Sequence, residues 1–187
     1  HPAWKAPLSG PNQGRGLACG MWIGGVQPTS AILKLNSDGT LALIVGSVDL
    51  TGVRTAFVQV VAEEFGVDPM EVSVAILDTE SAPYASTSAG SKTTNTMSLA
   101  IKRACDEVKK QLLGRAATQL DLPEDQVEYL PYRLQAKGAP ERTVTLSELG
   151  HASVTAAGGP VMATGIVTRV RQAPSFSANL VDVEVDP

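Results

Sequence analysis

The spacing of apolar residues predicts a β-hairpin followed by an amphipathic helix. Residues 31–35 and 40–46 are short aliphatic runs, and the four residues between them, Asn-Ser-Asp-Gly, are typical of a turn. From residue 54 the spacing becomes helical, because Phe57, Val60, Val61 and Phe65 recur on one face. Gly66 then follows as a natural C-terminal cap, so we expect a helix over residues 54–65.

A second helix, predicted over residues 94–120, is the strongest in the chain. Between the two predicted helices, Asp68-Pro69 is typical of an N-cap followed by a first-turn proline. Residues 72–77, directly after it, predict a buried strand. A loop rich in Ser, Thr, Ala and Gly (78–93) leads into the helix. Its apolar face carries Met97, Ile101, Cys105, Val108 and Leu112, while Lys102, Arg103, Lys109 and Lys110 lie on other faces and predict a solvated surface.

The remaining patterns complete an α+β fold, with β-hairpins and a mixed sheet packed against two main helices, one long. The first thirty residues predict a loop. Short strands are predicted at 127–129, 132–136, 143–146, 166–170 and 180–185, and a helical turn at 146–149. The last predicted strand runs directly into Asp186-Pro187, where a turn would begin. We therefore expect the chain to be part of a longer polypeptide.

Composition and charge exclude several classes of protein. The 187 residues carry a net charge of −4, so no basic excess favours nucleic acid, and no apolar run approaches the ~20 residues that span a bilayer. Cys19 and Cys105 lack paired spacing and predict two buried thiols in a cytoplasmic protein, with the periplasm as the other compartment considered. His151 is the only internal histidine, and we expect it to cap a helix or lie on the surface. A zinc or iron site made of His and Cys ligands is therefore not expected.

Two loops are candidate anion sites. Residues 14–20, GRGLACG, miss the dinucleotide fingerprint, and Gly90-Ser-Lys-Thr lacks the upstream glycine of a phosphate loop. Residues 49–55 and 84–94, in contrast, each connect a predicted strand to a predicted helix, whose first N–H groups attract anions. The alternative interpretation is that Thr51 and Ser91 or Thr93 simply cap these helices. The residues alone favour neither.

The acidic residues give no convincing catalytic set. Asp49 and Asp78 follow strands and are typical of caps or turns, while the pairs Glu63-Glu64 and Glu124-Asp125 are expected on solvated faces.

Four stretches of the chain, taken together, are similar to one known family. They are GRGLACG at 14–20, the segment 30–84 that begins SAILKLNSDGTL, STSAGSKTTNTMSLAIKRACDEVKKQLL at 86–113, and FSANLVDVEVDP at 176–187. In this order and with similar intervals they resemble the molybdopterin-binding large subunit of the xanthine dehydrogenase and aldehyde oxidase family, carbon monoxide dehydrogenase-like members included. The resemblance covers most of the chain.

The resemblance implies that residues 14–187 are part of a molybdopterin-binding domain, with 1–13 a terminal segment. It further implies a share of the site for molybdopterin, in its cytosine dinucleotide form, with molybdenum, and partners comprising the remaining domains of the large subunit and FAD and iron–sulfur chains. In the family, the two loops contact the pterin and phosphates. The candidate cofactor-binding residues are therefore Thr51, Gly52, Arg54, Thr55, Gln59, Ser88, Ala89, Gly90, Ser91, Lys92, Thr93 and Thr94.

The chain also departs from the family pattern. Many members have Gly-Gln-Gly in the first loop, where this chain has Leu-Thr-Gly-Val and is one residue shorter; Gln59 does match a family position. The family's catalytic glutamate, in a Gly-x-Gly-Glu-like motif, has no counterpart, so we expect no turnover from these residues alone. The alternative function is a non-enzymatic α+β interaction module whose helix N-termini are purely structural.

Overall fold

The computed structural model describes residues 2–76, 78–155 and 158–186, in two compact units. Residues 2–24 and 172–186 form one unit, and Gly25–Arg171 form the other. The elements, in chain order, are α1 (Pro2–Lys5), β1 (Gln13–Trp22), β2 (Thr29–Leu35), β3 (Leu41–Val45), α2 (Val53–Phe65), β4 (Val72–Ile76), α3 (Thr93–Leu120), β5 (Val127–Leu130), β6 (Arg133–Ala136), β7 (Ala139–Thr145), α4 (Leu146–Thr155), β8 (Met162–Val167) and β9 (Ser175–Glu184). The α+β class is confirmed.

The larger unit is built on a four-stranded sheet in the order β4-β3-β2-β8. The predicted hairpin is confirmed as β2 and β3, antiparallel, with Leu33 opposite Leu43 and Gly39 in the turn at φ 91°. β4 pairs with β3 in parallel, which requires the crossover that α2 supplies. Alternate residues of β2 and β3 are buried, as expected when one face of a sheet forms the core.

Strand β4 corrects one expectation, since the run 72–77 predicted a fully buried strand. Val72 and Val74 are buried, but Ser73, Ala75 and Ile76 are exposed; Leu77 lies outside the described residues. The reason is position, because β4 is at the edge of the sheet and only one of its faces meets the core. The predicted cap before it is confirmed: Asp68 Oδ1 accepts the N–H of Met70 at 2.8 Å, at the start of a 3₁₀ turn.

Helices α2 and α3 pack together in the core and agree with the prediction to within one residue. Gly66 caps α2 in the left-handed region at φ 63°, and its N–H donates to the carbonyl of Ala62. Against α3, β8 presents Gly165, where a Cβ would overlap the carbonyl oxygen of Ala100 and lie 2.6 Å from the amide nitrogen of Ala104. Glycine here lets the helix approach the strand backbone directly.

A three-stranded antiparallel sheet, β5-β6-β7, and helix α4 complete this unit. Helix α4 extends to Thr155, well beyond the turn predicted at 146–149. Gly150 therefore lies inside the helix, where a Cβ would overlap the carbonyl oxygen of Asn36. His151 is exposed, which confirms the expected surface position. It is not a helix cap, because α4 continues past it.

The smaller unit is an antiparallel ribbon, which corrects the prediction of a loop over the first thirty residues. Its strands β1 and β9 pair from Gln13 opposite Glu184 to Trp22 opposite Ser175. β9 also begins five residues before the strand predicted at 180–185. The signal failed because nearly every residue of both strands is exposed or half-buried, so no alternation of buried and solvated positions marks them.

The cysteines differ from each other in burial. Cys105 is buried, and burial raises the pKa of its thiol to about 12, but Cys19 on β1 is exposed, against the expectation of two buried thiols. Both are free. Among the described residues, no helix is both long enough and apolar enough to cross a membrane.

Candidate functional site

The two candidate loops line one cavity in the larger unit. Its volume is about 310 Å³, and its lining comprises Leu50, Thr51, Val53, Ser88, Ala89, Ser91, Thr93 and Thr94. Close packing holds the loops together at their base, because a Cβ on Gly46, at the end of β3, would overlap the carbonyl oxygen of Pro83. Residues far apart in sequence thus meet where the two helices begin. No charged side chain is among the lining residues.

The N-terminus of α2 is already satisfied by its own loop. The amide of Val53 donates to the carbonyl of Leu50 at 3.4 Å, and that of Thr55 to the carbonyl of Gly52 at 3.1 Å. The amide between them, on Arg54, donates to Asp49 Oδ1 at 3.1 Å. Asp49 is therefore the capping side chain, as its position after a strand predicted, and the alternative cap, Thr51, donates to Leu50 instead. These amides are not available to an anion.

The N-terminus of α3 is different. The amide of Thr96 donates to the carbonyl of Lys92 at 2.8 Å, but within the described part of the chain the amides of Thr93, Thr94 and Asn95 have no acceptor. No side chain of the described residues caps the helix, and the hydroxyl of Thr93 donates to Ser88 Oγ at 3.2 Å. Unsatisfied N–H groups and the positive end of a 28-residue helix together attract negative charge. The alternative interpretation, in which Ser91 or Thr93 caps α3, is therefore wrong.

Lys92 lies just before these amides, and its side chain is only 4% exposed. Its stem packs on Gly25, where a Cβ would lie 3.0 Å from Lys92 Cδ, and its Nζ donates to Ser86 Oγ at 2.5 Å. Burial lowers the pKa of the ammonium, and no ion pair among the described residues involves it. Lys92 thus points into the protein beside the cavity and is not part of its wall.

Three contacts tie the second loop to the sheet side of the unit. The amide and the hydroxyl of Ser30 both donate to the carbonyl of Tyr84, at 2.8 and 2.9 Å. Further along, the amide of Gly25 donates to the carbonyl of Gly90 at 2.7 Å. Gly90 at φ 66° and Ser91 at φ 57° then turn the chain through left-handed geometry into α3. This turn places the start of α3, at Thr93 and Thr94, in the wall of the cavity.

The structure brings together only part of the predicted cofactor-binding set. Thr51, Ser88, Ala89, Ser91, Thr93 and Thr94 line the cavity, whereas Gly52, Arg54, Thr55 and Gly90 belong to the loops without lining it. Gln59 lies apart, on an exposed groove of α2 shared with Glu63 and Pro69. Sequence reasoning missed the two apolar wall residues, Leu50 and Val53, because a binding motif draws attention to polar side chains.

The other acidic and basic candidates are mostly structural. Asp78 is a turn residue, as predicted, since its Oδ1 accepts the amides of Glu80 and Ser81. Glu64 corrects an expectation, because it is half-buried and accepts from Lys102 and Lys109 of α3. Part of the basic surface of α3 therefore joins the two helices and is not merely solvated.

Comparisons with known proteins match most of the chain. A family model described as molybdopterin cofactor-binding domain matches residues 3–187. The carbon monoxide dehydrogenase large chain of Afipia carboxidovorans is 29% identical over 125 residues, which is 66% of this chain and 16% of that protein. The putative xanthine dehydrogenase molybdenum-binding subunit of Escherichia coli is 26% identical over 184 residues, or 93% of this chain and 24% of that protein.

Among solved structures, the reconstituted CO dehydrogenase from Oligotropha carboxidovorans has a TM-score of 0.79. The match covers 92% of this chain and 24% of that chain at 24% identity, so it establishes the shared fold. This chain spans about a quarter or less of the length of these relatives.

Proposed function

Because the chain belongs to the family of molybdopterin cofactor-binding domains of molybdenum hydroxylases, we propose that its loop cavity holds a phosphate-bearing part of the cofactor. The observation that carries this proposal is the set of amides on Thr93, Thr94 and Asn95, which have no acceptor within the described residues and open α3 beside a hydroxyl-lined cavity. Helix N-termini of this kind bind phosphate in many folds.

The donors around the cavity fit an anion. Hydroxyl and amide groups supply hydrogen bonds, and the lining contains no carboxylate to repel a phosphate. The buried charge of Lys92 adds positive potential from within the protein. A cavity of about 310 Å³ is at the small end for a complete small-molecule site. We therefore assign to this chain a phosphate and its immediate surroundings, with the pterin held largely by other parts of the protein.

The residues of the two loops differ in their roles in this proposal. The amides at the start of α3 bind the phosphate, while the hydroxyls of Ser88, Ser91 and Thr94 complete its hydrogen bonds. Lys92 holds the loop through Ser86, and Gly90 permits the left-handed turn. The loop that starts α2 contributes mainly shape, through Leu50 and Val53. The bound cofactor supplies molybdenum redox chemistry, which none of these side chains performs.

In the whole protein we propose an oxidoreductase that hydroxylates a carbon centre with oxygen from water. Residues 14–187 are a part of its cofactor-binding domain, with the remaining domains of the large subunit as neighbours and FAD and iron–sulfur centres on partner chains or domains. The cytosine dinucleotide form of the cofactor and a cytoplasmic location complete the proposal. The relatives include proteins named for carbon monoxide, nicotinate and xanthine, which leaves the substrate class open among them.

Metal analysis of the native gene product tests the function. We expect one molybdenum per polypeptide after purification under mild conditions, and a purified protein without molybdenum or pterin would contradict the proposal. Crystals freed of cofactor and soaked in sulfate test the site. We expect sulfate density within hydrogen-bond distance of the Thr93, Thr94 and Asn95 amides. Density only at the start of α2 would assign the phosphate to that helix instead, and density at neither helix would contradict the proposed site.

A further inference from the structure

One face of the β1–β9 ribbon is apolar along most of its length. In the antiparallel register, Leu17 lies opposite Leu180, Cys19 opposite Ala178, and Met21 opposite Phe176. Because alternate residues of a strand share a face, these three pairs are on the same side of the ribbon. We refer to these six residues as the apolar ribbon face.

Three of the large side chains of this face are open to solvent, and the fourth, Leu180, is half-buried. Leu17 is 54% exposed, Met21 61% and Phe176 74%, and Cys19 is exposed as well. Two-stranded ribbons are marginally stable in water, and exposed apolar groups concentrated on one side mark a surface that is normally covered. Charged pairs occur only at one end, where Arg15 and Asp182 form a two-pronged salt bridge at 2.5 and 2.7 Å.

The opposite face has a different character. On β1 it presents Gly14, Gly16, Ala18 and Gly20, with Trp22 at the end of the strand, and a Cβ on Gly16 would meet nothing within 4 Å. The ribbon itself therefore does not require a glycine at position 16, although glycine weakens a strand interior. Trp22, Val181 and Val183 of this opposite face are also exposed, but each lies across from a glycine or a serine, whereas the apolar ribbon face has three consecutive pairs of apolar residues.

We infer that the apolar ribbon face is the surface on which further residues of the same polypeptide dock. This inference rests on the proposed function in assuming that the chain is part of a molybdenum-binding large subunit. The choice of occupant follows from length, because about three quarters or more of each matched relative lies outside the part that this chain spans. An apolar, uncharged partner surface fits the six side chains, and the Arg15–Asp182 pair marks the polar rim.

Cys19 is a built-in reporter of this contact. In the native gene product, we expect a maleimide to modify Cys19 at least about 100-fold more slowly than a cysteine placed at the 90%-exposed position 70 by Met70→Cys, because labelling requires the docked segment to open. Mass spectrometry distinguishes the labelled peptides. Cys105, buried in the core, serves as the internal unreactive thiol.

A matched pair of charge substitutions tests the cause of the protection. Met21→Glu places a carboxylate on the apolar ribbon face and should speed the labelling of Cys19 at least about tenfold, while Met70→Glu makes the same change on an exposed turn and should leave it unaltered. Labelling of native Cys19 as fast as the reference cysteine would overturn the inference. So would protection that persists in Met21→Glu, or protection that rises with protein concentration, which would identify a second copy.

The result is independent of cofactor binding, because thiol labelling is read without any activity. Molybdenum content measured on the same samples separates the two proposals. A protected Cys19 in a protein without molybdenum would support docking and contradict the proposed function. A reactive Cys19 in a molybdenum-loaded protein would do the reverse.

Discussion

Replacing Thr94 by aspartate should affect the stability of α3 and the binding of a phosphate differently. Thr94 is exposed, lies in the first turn of α3 and lines the cavity. The first turn contains no acidic residue, so a carboxylate there would interact favourably with the helix dipole and the open amides. The same carboxylate would repel a phosphate at the cavity. Stability and cofactor binding should therefore change in opposite directions.

The two effects have different sizes. A carboxylate near a helix N-terminus stabilises by about 0.3–1 kcal/mol, which for a protein of this length raises Tm by about 1–4 °C. Two negative charges about 5 Å apart repel by about 3 kcal/mol at an effective dielectric constant of about 20, or about 100-fold in affinity. Competition of the new carboxylate for the amides of Thr93 and Asn95 weakens cofactor binding further.

Calorimetry of the cofactor-free gene product measures the first effect, and molybdenum content after purification measures the second. Thr94→Asn is the matched control, since it has the same shape as aspartate without the charge and should retain most of the metal. A Thr94→Asp protein that fills with molybdenum like the wild type would refute the site. Equal loss in both variants would show that side-chain shape, and not charge, matters at this position.

Two further substitutions test the packing and the electrostatics of the larger unit. Gly165→Ala should lower the free energy of unfolding by about 3 kcal/mol, because the new Cβ would overlap the carbonyl of Ala100, and a urea midpoint equal to wild type would show that α3 can retreat. Burial raises the pKa of Glu64, but hydrogen bonds from Lys102 and Lys109 outweigh burial and leave that pKa lowered. The ionised Glu64 therefore stabilises the fold above its unfolded pKa of about 4.3, and this contribution is lost as pH falls through the folded pKa. Glu64→Gln should therefore destabilise at pH 7 and have little effect near pH 2, and equal loss at both pH values would contradict the linkage.

Local patterns account for the parts of the fold that sequence predicted well. The hairpin has a polar turn, α2 has a 3.6-residue apolar period and a capping glycine, and α3 has the apolar period alone. Each forms within a few residues of the predicted bounds. The same signals predict the positions of the two candidate loops, because each loop lies between a predicted strand and a predicted helix. Their convergence on one cavity was expected from the family resemblance and not from the pattern.

Features that depend on distant partners were not predictable in this way. β1 has no alternation of buried and exposed residues, contains three glycines, and pairs with a strand about 150 residues away. Burial of Lys92 depends on Gly25 and Ser86, neither of which is close enough in sequence to suggest it. The competition between Asp49 and Thr51 for the α2 cap was decided by geometry, since the left-handed conformation of Thr51 turns its hydroxyl back to Leu50.

The pairing of β1 with β9 has a consequence for synthesis on the ribosome. β1 is translated before its partner, which follows only after about 150 further residues, or about 10–30 s at typical elongation rates. The larger unit, Gly25–Arg171, is translated during that interval and is complete at its end, whereas β1 stays an unpaired strand that carries Leu17 and Met21. Newly made chains should therefore be most prone to aggregation and chaperone capture through residues 13–22, and the risk ends when β9 arrives.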